Sequence, residues 1–303
     1  MMKKATVTIT TFQRPEFVKI AIESVFRQSY NNIEIVLVDD NGYGTQAQIE
    51  TETSISNYLQ LENFKYIKLD KNAGSCEARN IGVKNASGDY LFFLDDDDVF
   101  LPRKVEKQIA LLENNPHLDG TLCAFKRLNT DGTEITADSN YPVVGDFKNF
   151  IINGNFFTPM LCIRKVSFDQ SSGFKSIPRF QDRYFMINCL HQGMNFTATN
   201  EALYVMNEHM QDRITNLSTQ KTIFSLDLIR TFVLKRKSEF SVQEWNRYLE
   251  RDDTVIAISY YFGSYPERIN SIYYWTKCLV AGKKWKYLQL IFKSLIPKEM
   301  LKI

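Results

Sequence analysis

Four consecutive aspartates, Asp95 to Asp98, follow directly on the apolar pentapeptide Tyr90-Leu91-Phe92-Phe93-Leu94. No other feature limits the chain's folding options as much. A run that is apolar at every position reads as a strand buried on both faces, which is the signature of a parallel sheet covered by helices. The carboxylates then sit at its C-terminal end, each about 4 Å along the chain from the next, where like charges repel. A divalent cation held against a diphosphate would relieve that repulsion, and hard oxygen ligands of this kind suit magnesium or manganese. An acidic surface turn is the plainer alternative. It fits the position less well, because open α/β sheets bind ligands beyond the carboxyl ends of their strands.

The N-terminal part repeats the pattern. Val7 to Thr10 reads as a strand, and Phe17, Ile20, Ala21, Val25 and Phe26 follow at helical spacing. The largely apolar stretch Ile33 to Val38 ends in Asp39-Asp40-Asn41-Gly42, so a second strand delivers carboxylates to the same edge of the sheet. Tyr66 to Leu69 reads as another strand, Ser75 opens a helix carrying Ala78, Ile81 and Val83, and Pro102 suits the first turn of the next helix. The expected class is therefore α/β, a doubly wound sheet flanked by helices. Beyond Thr121 the order is less regular, with a hairpin at Asn129-Thr130-Asp131-Gly132, a strand near Met160 to Ile163 and a helix from Gln181 to His191. From about Leu217 helical spacing takes over, in Ile223, Leu226, Ile229, Phe232 and Val233. The expected division is a domain over 1–216, with halves 1–120 and 121–216, and a C-terminal helical region over 217–303.

Composition narrows the function. With 44% hydrophobic residues among 303, the chain can bury a large core, and 37 basic against 35 acidic side chains leave a net charge of +2, which argues against a nucleic-acid partner. Five scattered cysteines, Cys76, Cys123, Cys162, Cys189 and Cys278, form no C-x-x-C pair, which suggests neither a zinc site nor a disulfide framework and fits a reducing cytoplasm. Met1-Met2-Lys3-Lys4 lacks the apolar core of a signal peptide, and no stretch has the uninterrupted apolar length of a membrane span. The C-terminal segment from Lys283 to Lys298 mixes lysines with large apolar residues at helical spacing. It reads either as a peripheral helix on an anionic membrane face or as a helix docked on the protein with a solvated basic face.

Several segments, taken in order, resemble glycosyltransferase family 2, whose members share the GT-A fold and transfer sugars with inversion. The resemblance spans roughly Ala5 to Asn216. Its elements are Thr10-Thr11-Phe12-Gln13-Arg14-Pro15, Val38-Asp39-Asp40-Asn41-Gly42, Asn72-Ala73-Gly74 with Ala78-Arg79-Asn80-Ile81-Gly82, and Phe93-Leu94-Asp95-Asp96-Asp97-Asp98, which is similar to the family's D-x-D motif. Each motif alone is weak; their order and intervals together are strong.

The resemblance implies a mixed GT-A sheet, a nucleotide-sugar donor with UDP-sugars favoured, and a Mn2+ or Mg2+ cofactor. It assigns Asp97 and His209 to the metal. Thr11, Arg14, Asp40, Asn72, Gly74, Arg79, Asp95 and Asp96 fall to the donor, and Asp182 to the catalytic base. Gln181 departs from the family's usual Glu-Asp pair. On its own terms Asp182 is also a favourable charge at a helix N-terminus, Arg79 suits a structural ion pair, and Phe156 and Phe157 suit either an acceptor wall or the core. The implied acceptor is a saccharide or lipid-linked saccharide in bacterial surface polysaccharide assembly, at the cytoplasmic membrane face. Two alternatives remain open: a nucleotidyltransferase, disfavoured because the loop Thr11 to Pro15 has no glycine, and a non-catalytic nucleotide-sugar-binding module.

Overall fold

The computed structural model describes residues 2–208, 218–262, 265–282 and 284–296. It divides into two compact units, Met1–Ser176 with Gln181–Met210, and Ile177–Phe180 with Gln211–Ile303.

The first unit runs β1 (Ala5–Thr11), α1 (Pro15–Phe26), β2 (Ile33–Asp39), α2 (Gln46–Ser54), β3 (Phe64–Lys68), α3 (Ser75–Lys84), β4 (Tyr90–Asp95), β5 (Val99–Phe100) and α4 (Lys104–Asn114). It continues with β6 (Gly120–Leu128), β7 (Glu134–Ile135), α5 (Phe147–Asn153), β8 (Leu161–Arg164), α6 (Lys165–Gln170), α7 (Gln181–His191) and β9 (Phe196–Asn207). The strands form one mixed sheet in the order β3-β2-β1-β4-β8-β6-β9-β5, with β7 paired to β6. β3, β2, β1 and β4 are mutually parallel, while β8 is antiparallel to both β4 and β6.

This order creates the site. From β1 the chain builds outward through β2 and β3, then returns to place β4 on the other side of β1, so strand order reverses between β1 and β4. At such a reversal the flanking loops part and leave a crevice beyond the carboxyl ends. Register fixes what lines it, since Thr10 pairs with Asp95 across β1 and β4, and Thr11 with Asp39 across β1 and β2.

The expected apolar strands are buried as their composition requires: Leu91 to Phe93 and Val36 to Val38 have no exposed surface. Glu34, the one charged residue in β2's apolar stretch, is buried too. Its carboxylate accepts hydrogen bonds from Thr6 (2.6 Å) and Ser87 (2.7 Å) and pairs with Lys4 at 2.9 Å. Against the upward push of burial, these bonds hold its carboxyl down at about 2. The helix expected at Pro102 starts later, at Lys104, because Leu101 to Lys104 closes a turn first, with Lys104 N–H donating to the Leu101 carbonyl at 3.1 Å. The hairpin at Asn129 to Gly132 joins β6 to β7, and α7 begins at Gln181. All five cysteines are buried free thiols.

The second unit holds α8 (Thr219–Leu234), α9 (Val242–Tyr261), α10 (Tyr265–Gly282) and α11 (Lys286–Ser294), together with residues 177–180. Sequence alone puts the division at 217, with residues 177–180 in the first domain. Here Arg179 donates to the hydroxyls of Thr222 (2.6 Å) and Ser225 (3.0 Å) in α8, which ties that segment to the helices. Ala257, Trp275, Cys278 and Tyr287 form a core cluster, and buried Asp253 is compensated by Arg230 at 3.2 Å and Lys277 at 3.0 Å. Among the described residues no helix is long and apolar enough to cross a membrane.

Gly88, leading into β4, lies so close to β1 that an added Cβ would stand 2.7 Å from the Thr6 nitrogen and 2.8 Å from the Ala5 carbonyl carbon. Backbone cannot yield as a side-chain tip can. Gly88→Ala is expected to destabilise the protein by about 1–3 kcal/mol, read as a lower urea midpoint with unchanged slope; an unchanged midpoint would mean that β1 and β4 are not packed this closely.

Candidate active site

The site residues come from strand ends, from the loops that follow them and from helices α3 and α7. β1 ends at Thr11, and the loop after it turns at Gln13 (φ 57°), whose N–H donates to the Asn41 side chain at 2.6 Å. That bond joins the loops after β1 and β2. Arg14 stands just before α1 and projects its guanidinium onto the aspartate run, pairing with Asp97 and lying 3.5 Å from Asp96. Phe12 N–H donates to Asp96 at 3.3 Å.

After β2, both carboxylates are held. Asp39 accepts from the Tyr66 hydroxyl at 2.6 Å and from the Asn41 side chain at 2.8 Å. Asp40 accepts from the Ala73 N–H (2.6 Å), the Gly74 N–H (2.9 Å) and the Asn72 side chain (3.0 Å). Asp40 therefore shapes the Asn72-Ala73-Gly74 loop as α3 begins. Gly74 adopts φ 84°, a conformation that costs glycine little and other residues more. Burial pushes both carboxyls above their ordinary range, partly opposed by these hydrogen bonds.

The four aspartates after β4 separate into distinct environments. Asp95 has its side chain 37% exposed and pairs at 2.7 Å with Arg79, a buried residue of α3. Asp96 is only 6% exposed, Asp97 13%. The Asn207 side chain donates to the Asp97 carbonyl at 2.8 Å, and Asn207 N–H donates to the Asp98 carboxylate at 3.2 Å, so the end of β9 fixes the turn. Burial, reinforced by the neighbouring Asp97 charge, lifts the Asp96 carboxyl to about 7, while Thr11 and Arg14 pull the other way.

Asp182 occupies the first turn of α7, half-buried, and accepts a hydrogen bond from the Thr158 hydroxyl. Burial raises its carboxyl, and the largest opposing influence is the Arg79 charge. Arg79 therefore acts on both Asp95 and Asp182, which joins α7 to the carboxyl end of β4. Gln181, next to it, accepts from Ser75 at the start of α3 (2.9 Å). That bond ties α7's first residue to the first residue of α3.

The expected residues thus fall into two joined groups. Thr11, Arg14, Arg79, Asp95, Asp96, Asp97 and Asp182 surround the end of β4. Asp40, Asn72 and Gly74 form the neighbouring loop, linked through Asn41 and Gln13. His209 lies outside the described residues. Thr158 and Tyr66 were not anticipated: a hydroxyl that orients a carboxylate across 24 or 27 positions leaves no local pattern. Cys76 is buried, donates to the Lys175 carbonyl at 3.3 Å and has its thiol pushed up to about 11 by burial, which removes it as a nucleophile. Phe156 is buried, and Phe157 packs edge-on against Phe125.

Among the described residues no three His, Cys, Asp or Glu side chains form a metal cage. Asp95 is paired to Arg79 and Asp97 to Arg14, so the carboxylates nearest the end of β4 are compensated by guanidinium groups. An ion here would be completed by diphosphate oxygens, which is how magnesium is commonly held.

The fold is shared with solved enzymes. The structure of S. aureus TarS 1–349 in complex with UDP-GlcNAc superposes with a TM-score of 0.57 at 15% identity, covering 96% of this chain and 79% of that one. The mannosyltransferase PcManGT from Pyrobaculum calidifontis, in complex with GDP-Man and Mn2+, gives 0.56 at 12% identity, covering 97% and 79%. The architecture is that of a GT-A glycosyltransferase. An uncharacterized glycosyltransferase of Haemophilus influenzae is 27% identical over 234 residues, 76% of this chain and 77% of that protein. The glycosyl transferase family 2 model matches residues 6–184, and the chain belongs to that family.

Asp96 binds its proton more tightly folded than unfolded, where its carboxyl would titrate near the ordinary 3.8. Its contribution to stability is therefore fully present below that value and is lost as pH rises to about 7. In chelator-treated protein, Asp96→Asn is expected to remove a pH-dependent loss on the order of 2–4 kcal/mol. Denaturation at pH 4.5 and pH 8 checks this; equal pH dependence in both proteins would show that Asp96 ionises normally.

Proposed function

We propose that the protein transfers a sugar, with inversion at the anomeric carbon, from a nucleoside diphosphate donor, UDP-sugars favoured, to a hydroxyl of a saccharide or lipid-linked saccharide. The observation that carries this reading is the half-buried Asp182, held by Thr158 and coupled through Arg79 to the aspartates at the end of β4. A carboxylate so placed can act as general base at the mouth of a crevice suited to a nucleotide. TarS, crystallised with UDP-GlcNAc, and PcManGT, with GDP-Man and Mn2+, support the donor class.

In this reading Asp40 and the loop over Asn72 to Gly74 hold the base, Thr11 and Asp96 position the ribose, and Asp97, with His209, would hold a Mn2+ or Mg2+ ion. That ion, when bound, offsets charge on the departing diphosphate. Asp182 takes the proton from the acceptor hydroxyl, whose oxygen forms the new bond to the anomeric carbon. The old bond to the phosphate oxygen breaks, with its electron pair leaving on the nucleoside diphosphate. Arg79 keeps Asp182 from becoming permanently protonated by its own burial, and Arg14 supplies positive charge where the diphosphate departs. The setting that fits is assembly of a bacterial surface polysaccharide on the cytoplasmic membrane face.

A thermal-shift panel of UDP-, GDP- and dTDP-sugars with and without Mn2+ identifies the donor. With that donor, Asp182→Asn is expected to lower kcat by about 10²–10⁴-fold while donor affinity stays within a few-fold. Because the base must be ionised, wild-type kcat/KM should fall on the acid side at a pH above the ordinary carboxylate range. Full turnover by Asp182→Asn would remove Asp182 from its role.

A further inference from the structure

α11 packs one face into the core of the second unit, while Trp285 at its N-cap, Phe292 in its last turn and Ile296 just past its C-cap stay exposed. Its inner face places Tyr287 (2% exposed) and Ser294 (0%) against the core cluster, with Leu290 and Ile291 beside them. Polar bonds lock this orientation at both ends. At the first turn Glu250 of α9 accepts from the Tyr287 hydroxyl at 2.5 Å and pairs with Lys284 at 2.6 Å. At the last turn Arg268 of α10, itself 1% exposed, donates to the Lys293 carbonyl at 2.6 Å, and Ser271 bonds Ser294 at 2.8 Å. A cation on the final carbonyls is the favourable sign for a helix C-terminus. With both ends fixed, α11 cannot roll to hide its other side.

That other side carries Trp285 (80% exposed), Phe292 (60%) and Ile296 (38%). Trp285 at the N-cap and Phe292 are seven residues apart, which keeps them on one stripe of a helix with ~3.6 residues per turn, and Ile296 follows just past the C-cap Leu295. Lys286 and Lys293 are exposed on one flank of the stripe. The charge there has a single sign: residues 283–298 contain five lysines and no aspartate or glutamate.

We propose that this face of α11 is a docking surface for an anionic lipid bilayer, lying in the plane of the interface with Trp285, Phe292 and Ile296 at the boundary between headgroups and acyl chains and the lysines at the headgroups. An aromatic and aliphatic stripe beside the exposed Lys286 and Lys293 is complementary to a surface that is apolar within and negative at its rim. The absence of any spanning helix among the described residues makes the association in-plane, not transmembrane. The docking is independent of the donor chemistry, so each can fail without the other.

The test uses the full chain and extruded vesicles, either pure phosphatidylcholine or a mixture with about one-third phosphatidylglycerol. Expected are co-sedimentation with the anionic vesicles only, release at high salt as lysine contacts are screened, and quenching of tryptophan fluorescence by brominated acyl chains. The double variant Trp285→Ser/Phe292→Ser should lose at least tenfold in partitioning and lose the quenching. Lys286→Glu/Lys293→Glu should lose binding similarly. Transfer to a soluble acceptor, or donor-induced thermal stabilisation, should be unchanged in both variants, which shows that they are folded. Equal binding to neutral and anionic vesicles, or wild-type binding by both variants, overturns the proposal. So does a wild-type dimer that Trp285→Ser/Phe292→Ser converts to monomer, because the stripe would then be occupied by a second copy of the chain.

Discussion

The site is organised by the need to keep carboxylates apart, or compensated, where β2 and β4 end together. Three solutions stand side by side. Asp95 is paired with a buried guanidinium, Arg79; Asp96 and Asp97 share another, Arg14; and Asp40 is surrounded by backbone N–H groups and an amide from its own loop. Burial raises the carboxyls of Asp39, Asp40 and Asp96, and at Asp96 the neighbouring Asp97 charge adds to it. Positive charge is therefore welcome at this edge, and a cation proposed for Asp97 would share that carboxylate with Arg14.

Much of this was legible before any coordinates, for identifiable reasons. β4 and β2 are apolar runs that end in acidic clusters, and a strand buried on both faces in an α/β order allows few arrangements. α2 was not legible. Its sequence, Gln46 to Ser54, contains one large apolar residue, Ile49, and that one is exposed; the helix rests on a Thr45 cap and on buried polar Gln48 and Thr51, which no hydrophobic period reveals. β9 was hidden differently, because half of its residues alternate in no consistent sense and its pairing with β6 is interrupted by register shifts around Cys123 to Phe125. At the site, charged residues were found by type, whereas Thr158, Tyr66 and Asn41, which orient them, became visible only when distant strands were brought together.

Fold and family set different limits on what the residues mean. The GT-A architecture explains why Asp40, Asp95 and Asp97 share one edge, since any parallel order that reverses beside β1 opens a crevice there. It does not explain Gln181. An amide accepting from Ser75 ties α3 to α7 without adding a negative charge beside Asp182, so that carboxylate keeps one acidic neighbour fewer than a glutamate would impose.

The path of the chain around Asp182 carries a further consequence. Ile177–Phe180 packs with the C-terminal helices, held by Arg179 against Thr222 and Ser225, and the very next residues are Gln181 and Asp182. Phe180 turns the backbone through φ 59° at this junction. The helices are thus anchored, through one continuous stretch of backbone, to the residue immediately before α7. Ending the chain at 216 would take away the α8 hydroxyls that hold Arg179 and leave residues 177–180 without the partners they have here.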